Sequence, residues 1–257
     1  TKSDLLGKVK QTGVADAFSE FIDNILDNYE QYIPLGVVND LIVNVSINVE
    51  ADPIPGENNN GIIVITENSG GVPKNRWDSL IQVGNSNWDA ITEAVGTWGN
   101  GSKVALATLG RHNLFQTYYF DENNNDGHGA VQMQFGSDEN MDSDGGMTNS
   151  NTEIKKLPRN YYHEKNDFWK TDISQAIHGH CIGKPGTSAI TIKRLTEKSI
   201  QTFQDQNKYD KMIETLQKIF YNKIREIRTK YNKNIDIIFN NARLAPCKHN
   251  IFENPQG

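Results

Sequence analysis

From Ala15 to Ile33 the apolar residues Phe18, Ile22, Ile25, Leu26, Tyr29 and Ile33 return every three or four positions, and soon afterwards the period drops to two. The first spacing is that of an amphipathic helix. The second begins at Val43, where Val43, Val45, Ile47 and Val49 alternate with Asn44, Ser46 and Asn48, the pattern of a half-buried strand. A turn-rich stretch, Pro53 to Gly61, leads to Ile62-Ile63-Val64-Ile65, a strand apolar on both faces. Helix followed by strand, turn and strand departs from the regular βαβ alternation of a doubly wound sheet. It predicts an α/β fold in which helices cover a mixed, mostly antiparallel sheet.

The remainder of the chain fits that class. Ser102 to Leu109 reads as a helix, and Leu114–Phe120, Ala130–Phe135 and Ser188–Lys193 as strands. The intervening 121–128 and 136–152 are crowded with Asn, Asp, Gly and Ser and are expected to be exposed loops. The helix 209–231 carries Met212, Leu216, Ile219, Phe220, Ile224, Ile227 and Tyr231 on one face and leads to a strand at 235–239. We therefore divide the chain into a main domain, 1–200, and a helix-and-strand region, 201–257, leading towards a further domain. The ends, Thr-Lys-Ser and Asn-Pro-Gln-Gly, are expected to be those of a piece of a longer protein.

Composition narrows the function. Hydrophobic residues make up 36% and charged residues 23% of 257, which suits a folded rather than a disordered chain. No apolar run approaches the roughly 20 residues that span a bilayer, and no signal segment is evident. A net charge of -6 argues against direct nucleic-acid binding, whose affinity comes chiefly from neutralising phosphates. Two cysteines cannot make a disulfide framework, so a cytoplasmic location, or a nuclear one in a eukaryote, is expected.

Three segments carry candidate chemistry. Glu20, Asn24 and Asp27 fall within about 60° of one another on the polar side of the first helix. Such a stripe can hold a magnesium ion through an oxygen ligand and set a general base beside it; it can equally be a solvated acidic face. Thr66-Glu67-Asn68-Ser69-Gly70-Gly71-Val72 comes straight off a strand. A carboxylate there can accept a hydrogen bond from an exocyclic amine, and glycines let a planar ring approach the backbone; the alternative is a Gly-Gly turn with an incidental acid.

Gly96-Thr-Trp-Gly99-Asn100-Gly101-Ser102-Lys103 places three glycines, at spacings of three and two, just before a helix. Free backbone N–H groups at the positive end of a helix dipole form an anion site suited to phosphates, and Lys103 could add a charge. The pattern is neither a P-loop nor the dinucleotide fingerprint. Two further groupings contain metal-ligand residue types. His178, His180 and Cys181 with Cys247 and His249 match no common zinc spacing. Asp138 to Gly145 lacks the closing Glu of a calcium loop.

Taken in order, these segments resemble the boxes of the GHKL superfamily: gyrase B, the ninety-kilodalton heat-shock chaperones, histidine kinases and MutL. Glu20-Phe-Ile-Asp23-Asn24-Ile-Leu-Asp27 is similar to the first box, Glu-x-x-x-Asn-x-x-Asp. Glu67 to Val72 resembles the adenine box, Asp-x-Gly-x-Gly. Gly96 to Lys103 resembles the phosphate box, and Gly186-Thr187 the last box, whose Thr helps hold adenine. The resemblance covers about residues 10–195 and is nearest the branch of MORC proteins and chaperones. It departs from the pattern at Glu67, where the family has Asp, and at Ser69, where it usually has Gly; the longer carboxylate must retract by one methylene.

The resemblance implies the two-layer sandwich called the Bergerat fold and an ATPase activity with ATP and Mg²⁺ as cofactors. Glu20 would be the catalytic base and Asn24 the magnesium ligand. Asp27, Glu67, Gly71, Val72, Gly96, Gly99, Asn100, Gly101, Ser102, Lys103 and Thr187 would join Asn24 in holding the nucleotide. It further implies slow hydrolysis, an ATP-dependent homodimer, and a protein client or effector domain. A nucleotide-sensing module that does not hydrolyse, or a protein-interaction scaffold, is the alternative.

Overall fold

A computed structural model describes residues 2–49, 61–73, 100–120, 126–134 and 185–244. Helix α1 (Lys2–Gln11) is followed by α2 (Val14–Tyr32), a short 3-10 turn (Ile33–Leu35), and strands β1 (Leu41–Asn48) and β2 (Ile62–Glu67). Then come α3 (Asn100–Leu109), β3 (Gly110–Phe120), β4 (Asp126–Gln134), β5 (Thr187–Leu195), α4 (Glu197–Gln204), α5 (Gln206–Tyr231), β6 (Ile235–Phe239) and β7 (Ala242–Arg243). The seven strands form one sheet in the order β4-β3-β5-β2-β1-β6-β7. Among the described strands β1 and β6 are the one parallel pair; the other pairings are antiparallel.

The helix–strand–strand pattern of the sequence is realised as α2, β1 and β2. Helix α2 starts where the Asp16 carboxylate accepts the Gly13 N–H at 2.9 Å, a bond that satisfies one of the free donors of the first turn. Its apolar stripe, Phe18, Phe21, Ile22, Ile25, Leu26 and Tyr29, is buried. Each such side chain contributes about 1.5–3 kcal/mol of apolar burial. The stripe lies in one cluster with Val43 and Val45 of β1, Ile63 and Ile65 of β2, Ile190 and Ile192 of β5, and Phe239 of β6. Phe18 meets Phe239 edge-on, with ring centroids 5.3 Å apart.

Cross-strand pairing brings these inward residues onto one face, because opposed residues point the same way. The helices pack on that face, which makes the fold a two-layer α/β sandwich. The other face of β1 is open: Ile42 is 45% exposed. No helix among the described residues is long and apolar enough to cross a membrane.

Several elements differ from the sequence expectation. Helices α1 and α4 and the short β7 are present without having been expected, and β4 begins at Asp126, inside the stretch 121–128 expected to be a loop. Helix α4 begins at Thr196, whose hydroxyl accepts the Ser199 N–H; its Lys198 ammonium donates to the carbonyls of Lys10 and Thr12, tying down the end of α1. The strand expected at the entrance to a following region, now β6, belongs to this same sheet, paired Leu41↔Ile235 through Val45↔Phe239. Periodicity in a single strand holds no information about its partner. The long helix is α5, which begins where the Asp205 carboxylate accepts the N–H groups of Asn207 and Lys208 and ends at Asn232 in the left-handed conformation (φ 52°).

Candidate functional site

Residues at 100° intervals along α2 fan out rather than share one direction. Relative to Glu20, Asn24 lies at about +40°, Asn28 at about +80° and Asp27 at about -20°. The structure follows that geometry. Asn24 and Asn28 turn inward and are buried, whereas Asp27 turns towards α5, where the Lys223 ammonium bonds it at 2.5 Å and Asp23 at 2.7 Å. Of the three residues expected to form a row, Glu20 and Asn24 stay together and Asp27 is engaged by an ion pair on the flank.

Glu20 is half-buried. The Asn24 amide Nδ2 donates to the Glu20 carbonyl at 2.8 Å and to its Oε1 at 3.3 Å. Glu20 rests on Gly101, in the first turn of α3, so closely that a Cβ there would overlap its carboxylate. Burial raises the Glu20 pKa above its ordinary value; the Asn24 bond opposes the rise, and the Asp23 and Asp27 carboxylates add to it. A pocket of about 440 Å³ opens beside it, lined by Lys8, Thr12, Ser19, Glu20, Gly101 and Val104 among others.

The rest of α3 is buried: Ser102, Lys103, Val104, Ala105, Leu106, Ala107, Thr108 and Leu109. The sequence suggests Lys103 as an added charge at the phosphate box. Lys103 is buried, and desolvation lowers its pKa to about 8. Gly96, Gly99 and the rest of 74–99 lie outside the described residues, as do the side chain of Asn100, the stretch 138–145, and the His178–Cys181 and Cys247–His249 clusters.

At the other end of α2, Glu67 closes β2. Register sets it in a row with Val43 of β1, Ser188 of β5 and Thr117 of β3 on the helix-facing side of the sheet. Glu67 is buried, and its Oε2 accepts the Ser69 N–H. Burial raises its pKa, and the polar groups of Ser69 and Ser188 beside it oppose the rise. The retraction expected of the longer carboxylate is thus a fold-back onto Ser69. Ser188, rather than its neighbour Thr187, meets Glu67. Successive strand residues alternate faces, so Thr187 falls on the other side.

The glycines beside Glu67 serve the protein's own packing. Gly70 (φ +123°) lies against the Tyr32 ring. A Cβ on Gly71 (φ +75°) would sit 2.7 Å from the Tyr119 Cα and 2.8 Å from the Tyr118 carbonyl oxygen. Both backbones are in conformations that favour glycine. The next residue, Val72, donates its N–H to Thr117 Oγ1 at 2.8 Å, and Ser188 Oγ lies 3.2 Å from the same oxygen.

Sequence reasoning singled out neither Asn28, Thr117 nor Ser188. Asn28 was visible as the next four-residue step after Glu20 and Asn24. Thr117 and Ser188 become visible only through cross-strand register.

The donor set fits the groups the resemblance implies. With Nδ2 committed to Glu20, the Asn24 side chain keeps Oδ1 as an oxygen acceptor, the ligand type that magnesium takes. The space beside Gly101 is taken by the Glu20 carboxylate itself, at the edge of the pocket. No family model matches the chain, and no curated protein sequence matches it.

Proposed function

We propose that this chain is a GHKL-type ATP-binding domain that takes up Mg-ATP and hydrolyses it slowly, as a conformational or dimerisation switch within a larger protein. One observation carries the reading: a desolvated carboxylate, Glu20, is held by Asn24 against the first turn of α3, at the edge of an open pocket. A general base needs a fixed direction and a pKa nearer neutrality than a free carboxylate has. Glu20 has the first from Asn24 and is moved towards the second by burial.

In this proposal Glu20 accepts the proton of the attacking water, and Asn24 both orients Glu20 and offers Oδ1 to the metal. Magnesium, when bound, supplies charge neutralisation along the phosphates. The first turn of α3 presents backbone N–H groups to the phosphate oxygens. Glu67 and Ser188, about two helical turns further along α2, receive the base.

The test is ATP hydrolysis by wild type and Glu20→Gln, with Mg²⁺ and with EDTA. Magnesium-dependent turnover that falls by about 10²–10⁴-fold in the variant, with nucleotide binding retained, supports the proposal. Equal turnover in the two proteins overturns the assignment of Glu20 as base.

A further inference from the structure

The turn 69–71 is anchored on three sides. Towards β5, the Gly70 N–H donates to the Gly186 carbonyl at 2.9 Å. Towards β3, the Val72 N–H reaches Thr117. Towards α2, the Asn28 amide Nδ2 donates to Ser69 Oγ at 2.9 Å, to the Gly71 carbonyl at 3.0 Å and to the Ser69 carbonyl at 3.3 Å. Asn28 is buried on the helix that carries Glu20 and Asn24. It lies about 12 Å along the axis from Glu20 at 1.5 Å per residue.

The bond to Ser69 has a consequence for Glu67. Asn28 holds Ser69 at both its hydroxyl and its carbonyl, and the N–H of the residue so held donates to the Glu67 carboxylate.

We propose that Asn28 is a positioning residue that acts through Ser69 to fix the Glu67 carboxylate for base recognition, and ties the base end of the site to the helix holding Glu20 and Asn24. This rests on the nucleotide reading above. Asn28 touches neither base nor phosphate in this account. Its removal loosens Glu67 and leaves the phosphate end intact.

The experiment is calorimetric titration of wild type, Asn28→Asp and Ser69→Ala with two magnesium-loaded probes, a non-hydrolysable ATP analogue and inorganic tripolyphosphate. Asp keeps the shape of Asn but, when ionised, cannot donate; Ser69→Ala removes the hydroxyl that Asn28 bonds and is the safer variant for folding. The expected result is that both variants bind the analogue about tenfold more weakly, while tripolyphosphate binding changes less than about twofold. At saturating ATP, kcat stays close to wild type while KM rises. Equal weakening of both probes, or of neither, overturns the role of Asn28. Failure of wild type to bind either probe overturns the nucleotide reading instead, and the inference with it.

Discussion

The Glu20 carboxylate lies against the backbone of Gly101, on ground that a methyl group at 101 would have to share. The contact joins the middle of α2 to the first turn of α3 and sets the direction of the proposed base. Gly101→Ala is therefore expected to push Glu20 aside. Hydrolysis should fall by about tenfold or more, since a misdirected base forfeits part of its usual 10²–10⁴ contribution. Helix α3 should persist, because Ala is the better helix former by about 1 kcal/mol. Single-turnover rates and the unfolding temperature, measured side by side, check this; a stability loss with an unchanged rate would contradict it.

Lys223 fastens α5 to α2 through Asp23 and Asp27. Burial alone would pull the Lys223 pKa down, but its bonds to the two carboxylates outweigh that and raise it. Lys223→Met should destabilise the fold by about 1–3 kcal/mol, mostly because it strands the Asp27 carboxylate, whose side chain is 12% exposed. Adding Asp27→Asn should recover a good part of the loss. A double-mutant cycle by urea unfolding decides it, with additive effects counting against the account.

Buried Lys103 gives the protein a signature in alkaline solution. Its pKa falls to about 8 in the fold against 10.5 as the ordinary value. Between those values the unfolded chain binds more protons than the folded one, so this residue's contribution to stability rises with pH. The difference in stability between wild type and Lys103→Met should shift in favour of wild type from pH 8 to pH 10.5. Denaturant midpoints across that range test the sign.

Glu67 acts in the opposite sense. Its folded pKa is raised, chiefly by burial, above the ordinary 4.5. The stability tied to its protonated form is present below that value and is lost as pH rises through the folded pKa. Glu67→Gln should flatten this decline, so the variant gains on wild type as pH rises above 4.5. It should also weaken ATP binding. A variant that follows the wild-type pH curve would mean that burial does not raise the Glu67 pKa in the fold.

Much of this was legible in the sequence, for reasons that differ by residue. The stripe on α2 and the alternation in β1 are local periodicities, and they gave the layers of the fold. Glu20 and Asn24 are one helical turn apart, so their meeting needs no tertiary information. Asp27 was grouped with them by the same arithmetic, yet Lys223, almost two hundred residues away, engages it. The row Val43–Glu67–Ser188–Thr117 depends on register among four strands, which no single segment encodes. The glycines at 70 and 71 were read as room for a ligand. Their neighbours, Tyr32 and the backbone of β3, are distant in sequence and account for them in the fold.

The central claim is that this fold holds Mg-ATP between Glu67 and the first turn of α3, with Asn24 at the metal. Calorimetric titration of wild type and Asn24→Ala with a non-hydrolysable ATP analogue and Mg²⁺ tests it most directly. The account predicts saturable one-site binding in wild type that depends on Mg²⁺ and is severely weakened in the variant. No binding by wild type up to about 1 mM analogue, the upper end of ordinary enzyme affinities, or equal binding by both proteins, would contradict it.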